Sequence, residues 1–184
     1  GKFNRSLDFD GTNDFVNVGS GSSLNLYNSD YTIGAWVWLD NYDASHSSVI
    51  FGRATGTEGY QLVVAGEANY AYKKVRCMHW DGAASAALSN IDISLDTWHH
   101  IAITYDVSAA IFTIYIDGRN DNSGSLIPQA DAGSHDAYIG IDSRDAVGYD
   151  WDGIIDDVKV WNYALTGQQI KNEYNAGTVA RFGE

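Results

Sequence analysis

The sequence predicts an all-β protein, a sandwich or barrel of about ten short strands with one short helix near the C-terminal end. Three observations carry that prediction. Stretches of alternating apolar and polar residues recur along the chain, and Gly- and Asp-rich turn signals separate them at short intervals. The composition, with 19 Gly, one Pro and 13% aromatics in 184 residues, suits strands joined by tight turns. The alternation is plainest in Trp98–Asp106, where Ile101 and Ile103 share a face. It recurs in Ile111–Gly118, where Phe112, Ile114 and Ile116 share one. The link Val107–Ala110 is short enough to fold these two into a hairpin, and Asp117-Gly118 stops the second strand.

In chain order the strand candidates are Ser6–Phe9, Phe15–Val18, Tyr31–Leu39, Ser48–Gly52, Tyr60–Ala65, Tyr72–Trp80, Trp98–Asp106, Ile111–Asp117, Ala137–Ile141 and Gly153–Trp161. Turn signals such as Asp10-Gly11, Gly19–Ser23, Asp81-Gly82 and Asp152-Gly153 punctuate them. No repeat period or linker composition divides the chain, so residues 1–184 are read as a single domain. The helix is expected after Thr166. Thr166 and Gln169 have the spacing of a capping box, Leu165 and Ile170 that of a hydrophobic staple, and Asn175-Ala176-Gly177 supplies a stop. The reading is a short lid on the sandwich.

Composition then excludes whole classes of function. The net charge is −13, and of the 24 acidic residues all but Glu58, Glu67, Glu173 and Glu184 are Asp. Phosphate contacts need clustered Lys and Arg, so no nucleic-acid partner is expected. Asp suits turns and calcium loops better than helices. No apolar run is long enough to insert in a membrane, and no signal-peptide pattern opens the sequence; a leader was either never there or has been removed. Cys77 is alone and falls on a strand face with Val75 and His79, which reads as a small buried hydrophobe.

Five blocks, in order, form a recognisable pattern: Phe9–Val16 (FDGTNDFV), Tyr31–Val37 (YTIGAWV), Trp98–Asp106 (WHHIAITYD), Tyr115–Gly118 (YIDG) and Gly153–Thr166 (GIIDDVKVWNYALT). Together they resemble the laminin-G-like jelly rolls of the concanavalin A-like lectin/glucanase superfamily. The resemblance implies a two-sheet antiparallel jelly-roll sandwich whose first and last strands are adjacent. It also implies a carbohydrate-binding or adhesion module attached to a larger secreted or cell-surface protein, hence an extracellular place.

Three constellations are candidates for chemistry. Asp10, Asn13 and Asp14 put three oxygen-bearing side chains in one Gly-containing turn, and hard oxygens are what calcium takes. If the first and last strands pair, as the resemblance implies, Asp156 or Asp157 arrives beside that turn. Asp156 lies on an otherwise apolar face with Ile154 and Val158 and so needs a partner, either a structural calcium ion or the backbone N–H groups of the turn. Aromatic rings with planar polar groups are what a sugar face requires. Trp38, the run Tyr70, Tyr72, Arg76 and Trp80, and the loop residues Arg144, Tyr149 and Trp151 supply them. Trp36 falls where the family pattern has its recurring Trp and is read as structural. The mixture of Lys74 and Arg76 with aromatics reads either as a solvent-facing strand or as a saccharide platform tolerant of an anionic sugar.

Catalysis has little support. The four Glu are scattered, no strand carries an E-x-D pair, and His99 and His100 are neighbours on a strand and point to opposite faces. The expectation is therefore a non-enzymatic, calcium-stabilised module that binds polysaccharide or glycan. An adhesion module binding a protein partner is the alternative, and a polysaccharide hydrolase or lyase comes last.

Overall fold

A computed structural model describes Lys2 and residues 6–43, 46–66, 73–143 and 149–178. Among these described residues twelve strands form two antiparallel six-stranded sheets. The first sheet has the order β1 (Leu7–Asp10), β12 (Asp152–Trp161), β3 (Tyr31–Leu39), β8 (Trp98–Asp106), β9 (Ile111–Ile116) and β10 (Arg119–Ser125). The second has β2 (Val16–Gly19), β11 (Ala137–Ile139), β4 (Ser48–Ala54), β5 (Glu58–Val64), β6 (Lys74–Asp81) and β7 (Ala83–Asp92). This is the jelly-roll sandwich expected, with β1 on β12 as the adjacent first and last strands.

The inner faces are those the alternation assigns. Ile33, Ala35, Val37 and Leu39 of β3 meet Ile101, Ile103 and Tyr105 of β8 and Phe112, Ile114 and Ile116 of β9. Tyr60, Leu62 and Val64 of β5 with Val75 and Cys77 of β6 close the core from the other sheet. Burial pushes the Cys77 thiol up to about 12, which keeps it protonated and unreactive. His79 extends the same face. Its Nε2 meets the Tyr31 hydroxyl at 2.5 Å and its Nδ1 meets the Ile127 carbonyl at 2.6 Å. Since a carbonyl only accepts, Nδ1 carries the proton and Tyr31 donates to Nε2.

β7 and β10 have no counterpart among the expected strands. Both are edge strands rich in Ala, Ser, Asn and Asp. β7 buries only the small Ala87 and Ser89 on its inner face and β10 buries no residue, so backbone ladders define them more than apolar alternation does. Asp117-Gly118, expected only to stop β9, is a two-residue hairpin turn into β10, with φ positive at both residues (51° and 72°). At the β10 irregularity, Asp121 reaches across to the other sheet and accepts the Asn90 and Ile91 N–H groups of β7.

α1 (Gly167–Thr178) begins as expected. Gln169 N–H donates to Thr166 Oγ1 at 3.3 Å, and Thr166 N–H donates to Gln169 Oε1 at 2.8 Å. Leu165 and Ile170 pack with Ala102 and Tyr115 on the outer face of the first sheet. The helix runs one residue past the expected stop at Gly177. Among the described residues no helix is long and apolar enough to cross a membrane.

Candidate functional site

The outer face of the first sheet is divided in two by α1. Trp36 and Trp38 share that face two residues apart. Trp36 is buried: Tyr174 of α1 stacks on it at 5.4 Å, and His100 packs edge-on at the same centroid distance. Burial among these rings pulls the His100 pKa down to about 4. Trp38 lies past the lid and is half-buried, directly across the ladder from Trp98, whose ring it meets edge-on at 6.0 Å. Its indole N–H donates to Asp40 Oδ1 at 2.8 Å, which fixes the ring and leaves an aromatic shelf at the sheet's end.

Acids crowd the edge of this shelf. The ladder sets Asp10 opposite Asp152, and Asp40 N–H donates to the Asp152 carbonyl at 2.9 Å. Gly153 makes that approach possible: a Cβ there would lie 2.3 Å from the Trp38 carbonyl oxygen, and its φ of +132° is open to glycine. Burial, then the charges of Asp40, Asp10 and Asp8, raise the Asp152 pKa above the usual carboxylate range. Beside these residues a notch of about 580 Å³ is lined by Asp10, Gly11, Thr12, Asn41, Tyr42, Asp43, Ser48, Asp150 and Asp152.

The four residues expected to hold calcium are not brought together. β1 runs antiparallel to β12 with Leu7 on Ile155, so the turn after Asp10 meets the beginning of β12, not its middle. Asp152 takes the place expected for Asp156 or Asp157. Asp156 is four residues further along, ~13 Å in an extended strand. It lines a separate apolar groove with Leu7, Ile139, Ile155 and Val158, and one carboxylate oxygen accepts Asp157 N–H. In the turn itself the carboxylates take backbone donors. Asp10 Oδ1 accepts Thr12 N–H, Asp14 Oδ2 accepts Asp10 N–H, and Asp150 Oδ1 accepts Asn13 N–H, at 2.9, 3.1 and 3.1 Å. Among the described residues no three His, Cys, Asp or Glu side chains are disposed to hold a metal ion.

The expected aromatic clusters do not converge as one platform either. Trp151 is wholly buried in the core, donating to the Trp38 carbonyl at 3.3 Å, because β12 begins one residue later and draws it inward. Trp80 is 3% exposed, and its carbonyl accepts the N–H of Ala130 from the covering loop. Both are corrections to the reading of exposed sugar-stacking rings. Arg76 is half-buried on the outer face of the second sheet, where buried Gln61 donates to buried Asp142 at 2.8 Å and the following loop closes over the strands. Lys74 pairs with Asp92 at 2.7 Å, so it is not a free anchor for an anionic sugar. Tyr149 packs on His46 at 4.8 Å near the notch. Tyr70, Tyr72 and Arg144 lie outside the described residues.

Of the expected residues, then, Trp38, Asp10 and Tyr149 are at this end of the sandwich, with Asn13 and Asp14 in the adjoining turn. Sequence reasoning did not assign Trp98 and Asp40 to the site, and it put Asp150 and Asp152 in the candidate loop with Tyr149 and Trp151 without naming them as ligands. The signal for Trp98 was present, since Trp38 and Trp98 fall at the end and the start of two strands that pair antiparallel.

Two antiparallel six-stranded sheets packed face to face, with the first and last strands adjacent, define a jelly-roll sandwich. More particularly, the Laminin_G_3 model of the concanavalin A-like lectin/glucanases superfamily matches residues 10–171, and the chain belongs to that family. Domain 4 of AbnA, a GH43 extracellular arabinanase from Geobacillus stearothermophilus solved with arabinotriose, superposes with a TM-score of 0.69. It is 19% identical, over 94% of this chain and 77% of that one. The binding domain of Paraclostridial Mosquitocidal Protein 1 has a TM-score of 0.74 at 16% identity, over 96% of this chain and 44% of that one. A curated relative from Rattus norvegicus is the Sushi, von Willebrand factor type A, EGF and pentraxin domain-containing protein 1. It is 31% identical over 83 residues, 41% of this chain, and the match spans 2% of that protein's length.

Proposed function

We propose that the chain is a glycan-binding module of a larger extracellular protein, and that its recognition surface is the Trp38–Trp98 shelf with the notch beside it. The observation that carries this reading is the shelf. Two large rings at a sheet end, one pinned by its indole N–H, offer a rigid apolar face for sugar C–H groups. Asn41, Thr12, Tyr42 and the neighbouring carboxylates offer hydroxyl partners within the adjoining notch. The arabinotriose complex of the similar arabinanase domain supports the ligand class. The dense negative charge favours neutral sugars over uronates.

Calcium belongs to this proposal as a structural cation at the notch. Its support is donor chemistry: hard oxygens from Asp10, Asp150, Asp152, Asn41 and Thr12, and a repulsion at Asp152 that a cation would relieve. The carboxylates do not converge as they stand and would have to close on the ion. A panel of insoluble polysaccharides, with and without calcium, tests both statements. Retention on at least one neutral polysaccharide is expected; retention on none overturns the glycan reading.

Exposed Leu7, Phe15 and Val18 on the β1 and β2 edges favour a second reading, a protein partner along that side. Charged substitutions there would abolish partner binding and leave polysaccharide retention intact.

A further inference from the structure

His99, on the opposite strand face from His100, is the middle of a hydrogen-bonded chain. Its Nδ1 lies 3.0 Å from Asp117 Oδ2, and its Nε2 lies 2.8 Å from Ser94 Oγ. The tautomer follows. An ionised carboxylate only accepts, so Nδ1 carries the proton and the lone pair of Nε2 faces the serine hydroxyl. Asp117 is itself fixed: its other oxygen accepts His100 N–H at 3.0 Å, and it sits in the turn between β9 and β10. Burial alone would raise its pKa, but hydrogen bonds from His99 and His100 outweigh that and hold it below the usual range. The imidazole is mostly buried and Ser94 is exposed. The serine loop is tied on both sides. Preceding Ile93 is buried and its carbonyl accepts the Tyr42 hydroxyl, and Asp96 N–H donates to the Leu39 carbonyl at 3.0 Å.

From this geometry we infer that Ser94, His99 and Asp117 form a nucleophilic triad that cleaves a carboxylic ester. An exposed hydroxyl, a base within hydrogen-bond reach and an acid that orients the base are the parts such chemistry requires. Ser94 Oγ bonds to the acyl carbon as its proton passes to His99 Nε2. The carbon–oxygen bond to the alcohol then breaks, and the departing oxygen takes that proton. Water repeats the sequence, its proton moving to Nε2 and then to Ser94 Oγ, so that the acid leaves and the serine is restored. Asp117 stays ionised and acts as a positioning residue. The inference stands apart from glycan binding, because the triad shares no side chain with the Trp38–Trp98 shelf.

The test uses the whole chain with a fluorophosphonate probe and p-nitrophenyl acetate. The expected result is stoichiometric labelling of Ser94, located by mass spectrometry, and burst release of p-nitrophenol. Both are lost in Ser94→Ala and slowed by about 100-fold in His99→Gln. Asp117→Asn should slow labelling while preserving the site labelled. Because Ser94 is exposed, Ser94→Ala keeps the wild-type melting temperature, which separates lost chemistry from lost folding. Equal labelling of wild type and Ser94→Ala, or none in either with both folded, overturns the inference.

Discussion

Trp36 and Trp38 lie two residues apart on one face of one strand, and the helix makes them different residues. Over Trp36 the lid brings Tyr174, which stacks on the indole, and the His100 ring packs against both. Among the described residues no helix covers Trp38; the ring meets Trp98 across the ladder and is held by Asp40. Strand periodicity gives both the same orientation. Only the landing place of an element more than 120 residues later decides which is covered and which is left half-exposed. On a sandwich face, burial is set by what crosses over it as much as by the strand itself.

The largest effect expected from this contrast is on stability. Trp36→Ala removes the stacking partner of Tyr174 and leaves a void under α1, at a cost of about 3–5 kcal/mol in urea unfolding. A cost below about 1 kcal/mol would mean that the lid is not anchored there.

Acid probes the same covered half. His100 has its pKa lowered from 6.5 to about 4 by burial, and so does His79 in the main core. A folded-state pKa below the unfolded one means the unfolded chain binds more protons between these values. Stability is therefore full above pH ~6.5 and falls as pH drops toward 4, by up to ~3 kcal/mol for each group. Urea midpoints across that range should show the loss, and His100→Gln should remove roughly half of it. An unchanged slope in His100→Gln would show that the covered half does not hold a neutral imidazole.

The proposed cation bears on the open half instead. In chelator, Asp152→Asn relieves repulsion from Asp40, Asp10 and Asp8 and should stabilise by a few tenths of a kcal/mol. With calcium at 100 times its dissociation constant, wild type should gain about 2.7 kcal/mol and Asp152→Asn distinctly less. Identical melting with calcium and with chelator in wild type would remove calcium from the account.

The fold was legible because its inner faces are dense in Ile, Val and aromatic residues at period two. The helix was legible because Thr166 and Gln169 satisfy each other's backbone N–H groups. β7 and β10 were not, since β7 buries only the small residues Ala87 and Ser89 and β10 buries none, which leaves no apolar period to read. At the site, the aromatic content of Trp38 was legible, but register was not. Asp156 and Asp152 are both acids near the last strand, and only the pairing of Leu7 with Ile155 chooses between them. The burial of Trp151 and Trp80 was not legible for a related reason: neither a loop residue turned into the core nor a strand end covered by a loop carries a mark of it in the sequence. The link between His99 and Ser94 rests on a side-chain conformation that spacing does not specify.

Affinity for whichever polysaccharide retains the wild-type chain, measured for Trp38→Ala together with its urea midpoint, tests the central claim most directly. The account predicts a loss of roughly 10- to 100-fold in affinity, the size of one lost aromatic face, with stability changed by no more than about 1 kcal/mol. Undiminished affinity in a folded Trp38→Ala variant would contradict it and move recognition away from the open half of the first sheet.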